Sequence, residues 1–313
     1  MEYRRLGRTG LPVSAVGLGT GGASRLGQLS GVPQTEAVRV VQRALDLGVN
    51  LIDTATVYDD SEAILGRALQ HVPRDRFFLA TKFFDYRGES GLQPAGALTQ
   101  SLERSLQRLG LDYVDVFQLH GVPPDLYRQV VERYLPEARR CQEQGKFRFL
   151  GITETFSGDR MHDTLSMALA DDHFDTIMVG YNLLALGAER HVLPQAQRRD
   201  VGVFAMVAVS RALSRPERLL QSIADLKARG GIAREAVPDD DPLGWLVHDG
   251  VTSLPSAAYK FVAEHQAVSS VLTGTANVKH LEDNVRSILG PPLPAGDRAR
   301  VVATFGHIKE AAR

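Results

Sequence analysis

The chain has 313 residues, and its 36 lysines and arginines against 37 aspartates and glutamates give a formal net charge of −1. This balance, without a basic patch, argues against nucleic acid as a partner. No apolar run reaches the roughly 18 residues that a membrane span needs, and one cysteine, Cys141, excludes an intrachain disulfide. The N-terminus lacks the apolar segment of a secretory signal, so we expect a cytoplasmic enzyme that binds neither nucleic acid nor membranes.

Eight short apolar runs, rich in β-branched and aromatic residues, predict β-strands. They cover residues 15–18, 49–52, 77–81, 113–119, 149–152, 176–179, 202–209 and 268–272. Most of these runs do not alternate between apolar and polar residues, which is typical of parallel strands buried on both faces.

Amphipathic stretches predict helices between most of the strands. They cover residues 35–47, with Thr35 as the candidate N-cap, and then 61–69, 94–109, 126–144, 161–170 and 297–311. Residues 213–255 show no clear pattern, and we expect a long loop there after the seventh strand. Eight strands alternating with helices predict an α/β fold, a (β/α)8 TIM barrel, with this loop on the face where barrel enzymes bind substrates.

Residues 17–22 read Gly-Leu-Gly-Thr-Gly-Gly and match the G-x-G-x-x-G fingerprint of Rossmann dinucleotide-binding folds. That fingerprint requires a helix to open directly on the glycines. Gly27, Gly31 and Pro33 follow instead, and they are unsuited to the first turns of a packed helix. We therefore interpret this segment as a glycine-rich loop at the barrel mouth, close to a ligand.

Polar side chains stand at the ends of three consecutive predicted strands. Asp53, Lys82 and His120 end the second, third and fourth strands, and Tyr58 lies just after the second. Each has an ordinary structural alternative: a helix cap, a solvated lysine, a satisfied core histidine or a packed loop tyrosine. Together they are expected to converge on one point at the carboxyl-terminal face of the barrel.

Such a cluster suits the reduction of a carbonyl group by hydride transfer, which requires a proton donor for the alkoxide. A tyrosine hydroxyl can donate, but its ordinary pKa is about 10. We expect Lys82 to lower the pKa of Tyr58, Asp53 to hold Lys82, and His120 to orient the carbonyl oxygen. The hydride must come from a cofactor.

Competing chemistries have weaker support in the sequence. There is no G-x-S-x-G nucleophile motif, and Cys141 lies within a predicted helix away from any strand end. The nine histidines show no metal-ligand spacing, so no metal is expected. Asp171, Asp172 and His173 resemble a metal-binding cluster, but they follow a helix and are interpreted as a solvated turn.

Several motifs, in this order, resemble the aldo-keto reductase family over nearly the whole chain. Residues 3–14 resemble its N-terminal hairpin, which closes the barrel floor, and residues 17–20 its first strand and loop. Residues 53–58 followed by Ser61 and Glu62 resemble its D-T-A-x-x-Y block. Residues 80–82, 118–120 and 145–152 resemble its lysine, histidine and fifth-strand motifs. The resemblance implies a single barrel domain over residues 1–313.

This resemblance assigns the family's catalytic tetrad to Asp53, Tyr58, Lys82 and His120. It implies an NAD(P)H-dependent carbonyl reductase, or the reverse alcohol dehydrogenase, acting on a small carbonyl or alcohol substrate. The implied cofactor is NADP(H), with NAD(H) as the alternative.

The resemblance also implies cofactor-binding positions, some with unusual residues. Thr153 and Glu154 replace a Ser-Asn pair that binds the nicotinamide carboxamide, Met178 replaces a glutamine, and Met206 replaces an aromatic residue or arginine. Two departures in the last block, Gly274 and His280, replace cations that hold a 2′-phosphate, which leaves NADP against NAD open. The complete set is Gly19, Thr20, Asp53, Thr153, Glu154, Met178, Met206, Gly274, Thr275, Asn277, His280, Asp283 and Asn284.

Two other functions are compatible with the same motifs. The altered carboxamide positions would suit a cofactor-binding regulatory or sensor protein with little turnover. An NAD-dependent sugar or polyol dehydrogenase would differ only in reaction direction and cofactor. The sequence leaves the substrate and the oligomeric state open, and it leaves Trp245 either lining the pocket or anchoring the long loop.

Overall fold

The structure is a computed structural model that describes residues 1–22, 24–84 and 91–308. Eight parallel strands close into a barrel, which confirms the predicted (β/α)8 fold. A separate antiparallel pair precedes it, made of β1 (Tyr3–Arg5) and β2 (Pro12–Ser14). The barrel strands are β3 (Val16–Gly19), β4 (Leu51–Asp53), β5 (Phe78–Phe83), β6 (Val114–Val122), β7 (Phe147–Glu154), β8 (Thr176–Gly180), β9 (Gly202–Met206) and β10 (Ser270–Thr273).

Helices follow the barrel strands in the expected alternation. They are α1 (Gln34–Asp46), α2 (Ser61–Leu69), α3 (Gly96–Leu109), α4 (Tyr127–Glu143), α5 (Asp163–Asp171), α6 (Gly187–His191), α7 (Leu193–Arg198), α8 (Arg211–Ser214), α9 (Pro216–Ala228), α10 (Leu254–Ala263), α11 (Val278–Leu289) and α12 (Ala295–Phe305). Part of the predicted last helix, residues 309–311, lies outside the described residues.

The N-terminal hairpin closes the floor of the barrel. Leu6, Leu11 and Val13 are buried against inward-facing side chains of the strands, among them Met178 and Phe204. A Cβ atom on Gly202 would lie 2.6 Å from Cδ1 of Leu6, so this glycine gives the plug its room. Because these described side chains fill the floor, a ligand enters the barrel interior from the opposite, carboxyl-terminal end.

The stretch from residue 213 to 255 is not one long loop, contrary to the prediction. It contains the whole of α9, whose apolar side chains Leu219, Ile223 and Leu226 face the core. Trp245 donates from Nε1 to the carbonyl oxygen of Pro242 at 3.2 Å, and Arg300 of α12 stacks 4.1 Å from its ring centroid. These contacts show Trp245 anchoring its segment to the last helix.

Smaller boundary predictions were also wrong. Helix α1 begins at Gln34 after Pro33, so Thr35 lies inside the helix and is not its N-cap. Strand β9 ends at Met206, because Val207 takes a positive φ of 60° and breaks the extended conformation.

In the part of the chain that the structure describes, no helix is long and apolar enough to cross a membrane.

Candidate active site

A buried ion pair forms the base of the site. Lys82 on β5 is 0% exposed, and its Nζ donates to Oδ2 of Asp53 at 2.6 Å and to the carbonyl oxygen of Thr54 at 2.6 Å. Asp53 is the last residue of β4, and β4 pairs directly with β5. The two charges therefore meet because neighbouring strands end at the same face of the barrel.

The hydroxyl of Tyr58 lies above this pair and beside His120. Its oxygen is 3.5 Å from Nζ of Lys82 and 3.5 Å from Nε2 of His120. Tyr58 and His120 are half-buried, whereas Lys82 and Asp53 are buried. The four residues predicted from the strand ends thus come together, with the hydroxyl and imidazole on the accessible side.

A close backbone approach positions the tyrosine. A Cβ atom on Gly21 would lie 2.4 Å from Cζ of the Tyr58 ring, so the ring rests on the bare backbone of the glycine-rich segment. Gln28 reinforces this contact, because its Nε2 donates to Oγ of Ser61 at 3.0 Å and its Oε1 accepts from the backbone of Asp60 at 2.8 Å. The loop after β3 therefore holds the loop that carries Tyr58.

Burial and charge shift the pKa values of these groups in opposing ways. Burial raises the pKa of the Tyr58 phenol, and the nearby Lys82 ammonium offsets only part of that rise. The pKa is thus not lowered, contrary to our expectation, and the phenol is neutral at neutral pH. Burial opposes the charge of Lys82, but Asp53 and Tyr58 outweigh it and raise the lysine pKa. Lys82 is therefore an ammonium at neutral pH.

Phe84 is a neighbour of the site that the sequence analysis missed. It follows β5, and its ring centroid lies 5.4 Å from that of His120 in an edge-on arrangement. Tyr58 contacts the same imidazole edge-on at 5.7 Å. Its position two residues after Lys82, just past a strand end, could have identified Phe84 from the sequence.

Two threonines hold the chain just after His120. The hydroxyl of Thr153 accepts from the backbone N–H of Gly121 at 2.6 Å, and the hydroxyl of Thr155 donates to the carbonyl oxygen of Gly121 at 2.6 Å. Gly121 has a positive φ of 60°, which favours glycine. Thr153 therefore has a structural partner in addition to the cofactor role that the resemblance implies.

Glu154 is engaged within the protein. It is 2% exposed, its Oε1 accepts from the backbone N–H of Gly180 at 2.8 Å, and its Oε2 lies 2.7 Å from Nδ1 of His162. Burial raises the pKa of Glu154. Burial also opposes the charge of His162, but the carboxylate outweighs it and raises the histidine pKa. This pair ties the ends of β7 and β8 to the segment before α5.

The two methionines occupy different depths of the barrel. Met178 is 3% exposed and belongs to the apolar cluster above the floor hairpin. Met206 lies at the end of β9, is half-buried, and packs against the rim of that cluster. Of the two, Met206 is the one that reaches the mouth of the barrel.

The last predicted block lies beside the first loop, because β10 pairs with β3. A Cβ atom on Gly274 would lie 3.2 Å from the carbonyl oxygen of Gly19, so the two backbones approach closely. Asn277 caps α11, and its Oδ1 accepts from the backbone N–H of His280 at 3.1 Å. Asn277 in turn donates from its backbone to Oγ1 of Thr275 at 3.1 Å.

Three side chains of α11 differ in their surroundings. Asn284 donates from Nδ2 to Oγ1 of Thr273 at 2.6 Å, which directs it toward the end of β10. Asp283 instead pairs with Arg286 at 2.6 Å on the outer surface of the helix. The side chain of His280 is exposed.

Among the described residues, no cluster of three or more histidine, cysteine, aspartate or glutamate side chains is arranged to hold a metal ion. Cys141 is buried in α4, within the helix that the sequence predicted for it.

Comparisons with known proteins identify the family of this chain. Residues 15–304 match the Aldo/keto reductase family. The chain is 31% identical to L-galactose dehydrogenase of Arabidopsis thaliana over 303 residues, covering 92% of this chain and 88% of the plant protein. It is 33% identical to the aldo-keto reductase YhdN of Bacillus subtilis over 222 residues, or 68% of this chain and 63% of that one.

Solved structures show the same fold. The holo form of an aldo-keto reductase from Bacillus halodurans superposes with a TM-score of 0.73 at 25% identity, covering 100% of this chain and 97% of the other. An aldo/keto reductase from Klebsiella pneumoniae, solved with NADP and acetate, gives a TM-score of 0.67 at 23% identity, covering 97% and 95%. This chain is an oxidoreductase that belongs to the aldo/keto reductase family.

Proposed function

We propose that this protein reduces aldehydes or ketones with NAD(P)H, or catalyses the reverse oxidation of alcohols, with Tyr58 as the proton donor. The observation that carries this proposal is the position of the Tyr58 hydroxyl, 3.5 Å from both Nζ of Lys82 and Nε2 of His120. A carbonyl oxygen placed between the hydroxyl and the imidazole would meet a proton donor and a second hydrogen-bonding group.

Each side chain of the site has a distinct role in the proton transfer. In the reductive direction the Tyr58 hydroxyl protonates the developing alkoxide, because burial keeps the phenol neutral until that step. The Lys82 ammonium then stabilises the phenolate that remains, and Asp53 holds the ammonium at 2.6 Å. His120 directs the carbonyl oxygen toward the hydroxyl. In the oxidative direction the phenolate accepts the proton of the alcohol.

A nicotinamide cofactor, when bound, supplies or accepts the hydride. The residues present fit such a group, because the hydroxyl of Thr20 at the barrel mouth is buried and finds no hydrogen-bond partner among the described residues. The N-terminus of α11 presents backbone N–H groups that suit an anionic phosphate. We propose that Gly19, Thr20, Thr275 and Asn277 contact the cofactor, as NADP(H) or alternatively NAD(H).

Other proposed cofactor positions are Gly274, His280, Asp283 and Asn284 near the adenosine, and Thr153 and Met206 near the nicotinamide. Asp53 and Met178, which the resemblance also implies, lie deeper in the barrel and are 3% exposed each. Glu154 already accepts from Gly180 and pairs with His162, so we propose that it supports the nicotinamide site through the protein backbone.

The test is turnover of the purified protein with NADPH or NADH and a panel of small aldehydes and ketones, in parallel with Tyr58→Phe. We expect the variant to lose turnover while its affinity for the cofactor, measured by quenching of protein fluorescence, stays unchanged. Turnover that survives in Tyr58→Phe would refute the role of the tyrosine. Cofactor binding by the wild type without any turnover would favour the sensor function.

The relative from Arabidopsis favours a second candidate, oxidation of a sugar or polyol with NAD. L-galactose dehydrogenase matches 92% of this chain, and the proposed mechanism runs in either direction. Initial rates with L-galactose and related aldoses and polyols, using NAD⁺ or NADP⁺, distinguish this candidate. Higher initial rates of oxidation of a sugar with NAD⁺ than of reduction of any substrate in the carbonyl panel would support it.

A further inference from the structure

Gln118 is a buried amide inside the barrel that the proposed mechanism does not use. It lies on β6 directly opposite Lys82 of β5, and it is 0% exposed. Its Nε2 donates to Oδ1 of Asp53 at 3.3 Å, although the two residues are 65 positions apart in the chain. Gln118 thus contacts the catalytic cluster from below.

The two oxygens of Asp53 have different partners. Oδ2 accepts from Lys82 at 2.6 Å, and Oδ1 accepts from Gln118 at 3.3 Å. A carboxylate is an acceptor on both oxygens, so only the amide nitrogen of Gln118 fits on this side. The titratable groups that face Asp53 are Lys82 and Tyr58, on β5 and on the loop after β4.

A neighbouring glycine makes room for this side chain. Gly151 of β7 pairs with Gln118 in the barrel, and a Cβ atom on Gly151 would lie 2.8 Å from Cγ of Gln118. The same Cβ would lie 2.4 Å from Oγ1 of Thr176 on β8. The barrel interior is therefore shaped to accept a long amide beside Asp53.

We infer that Gln118 is a positioning residue of the catalytic site, which holds Asp53 ionised and oriented so that Asp53 can hold the Lys82 ammonium beneath Tyr58. In a buried site, a hydrogen bond to a charged group stabilises the protein more than a hydrogen bond to a neutral group. The reason is that a buried charged group without this partner cannot be solvated by water. Loss of the amide donor destabilises the ionised form of Asp53. Asp53 then holds the Lys82 ammonium less firmly, and the ammonium stabilises the Tyr58 phenolate less.

This inference rests on the proposed function, and its test uses Gln118→Met, which keeps the length of the side chain and removes the donor. The full-length variant and the wild type are compared for kcat and KM across pH. We expect kcat to fall about tenfold, the lower end for a hydrogen bond to a charge, with KM nearly unchanged. The acidic limb of the kcat profile should move to higher pH.

Thr176→Val is the matched control, since Thr176 is also buried in the barrel interior and its hydroxyl finds no partner in the described part of the chain. It should leave kcat and its pH profile unchanged. An equal loss of kcat in both variants, or an unshifted profile in Gln118→Met, would overturn the inference.

A second measurement needs no turnover and therefore separates this inference from the proposed function. The unfolding free energies of wild type and Gln118→Met are compared at pH 7.5 and at pH 5 by urea titration. Gln118→Met should lose more unfolding free energy at the higher pH, because the donor stabilises the ionised carboxylate of Asp53 more than the protonated acid. In an Asp53→Asn background this pH dependence should vanish. A penalty that is equal at both pH values would overturn the inference even if the wild type turns over no substrate.

Discussion

Replacing Lys82 by Met tests whether the buried ion pair is as tightly coupled as its geometry indicates. The substitution keeps an unbranched side chain and removes the ammonium. It leaves the carboxylate of Asp53, which is 3% exposed, without its bond of 2.6 Å to Lys82 Nζ. It also leaves the carbonyl oxygen of Thr54 without its bond of 2.6 Å.

The magnitude follows from the burial of both partners. Removing one partner of a buried ion pair costs about 3–5 kcal/mol, because an uncompensated charge is left in the interior. Gln118 still donates to Asp53, which places the expected cost nearer the lower figure. Without the ammonium the pKa of Asp53 rises further above its unfolded value, so the variant loses most stability at high pH. Burial already raises the pKa of Asp53 in the wild type, so the penalty shrinks as the pH falls through the still higher folded pKa of the variant.

The assay is urea unfolding followed by far-ultraviolet circular dichroism at pH 7.5, 6 and 5. We expect Lys82→Met to lose about 3 kcal/mol at pH 7.5 and clearly less at pH 5. The double variant Asp53→Asn/Lys82→Met should regain stability at pH 7.5, because both charges are then absent. A penalty that is the same at all three pH values, or a double variant weaker than Lys82→Met, would refute the reasoning.

Two further substitutions test contacts around the site. Gly21→Ala would place Cβ 2.4 Å from the Tyr58 ring, and we expect kcat to fall by about a hundredfold, as for a displacement of roughly 1 Å. Gly96→Ala at the start of α3, which meets no atom within 4 Å and has no positive φ, is the control for kcat, and a similar loss there would contradict the packing argument. Glu154→Gln removes the partner that raises the pKa of His162. The wild-type pair stabilises fully below about pH 6.5 and loses this effect as the pH rises through the higher folded pKa. Melting temperatures at pH 6 and pH 9 should therefore converge in the variant, and an unchanged difference would count against the ion pair.

Much of the fold was predictable because its signals are local. Each of the eight barrel strands overlaps an apolar run, since a strand buried on both faces needs apolar side chains throughout. The prediction of a loop over residues 213–255 was wrong because the helical signal within it is weaker. The helix Pro216–Ala228 is strongly polar on its outer face and begins at a proline, so its pattern of apolar residues was overlooked.

The candidate site divides in a similar way between local and distant contacts. The sequence by itself determined the positions of Asp53, Tyr58, Lys82 and His120, because strand ends in a parallel barrel share one face. Only the tertiary structure decided that burial raises the pKa of Tyr58 despite the nearby lysine. The desolvation of a group depends on all the segments that surround it, and its own sequence neighbours do not record them.

The same limit explains Gln118 and the buried pair of Glu154 and His162. Glu154 differs from the family pattern, and the sequence alone left its carboxylate available to a ligand. In the folded chain its two oxygens accept from Gly180 and face His162, and a buried carboxylate requires such partners. Which amide or imidazole supplies them is fixed by the closure of the barrel, which brings together strands that the sequence keeps far apart.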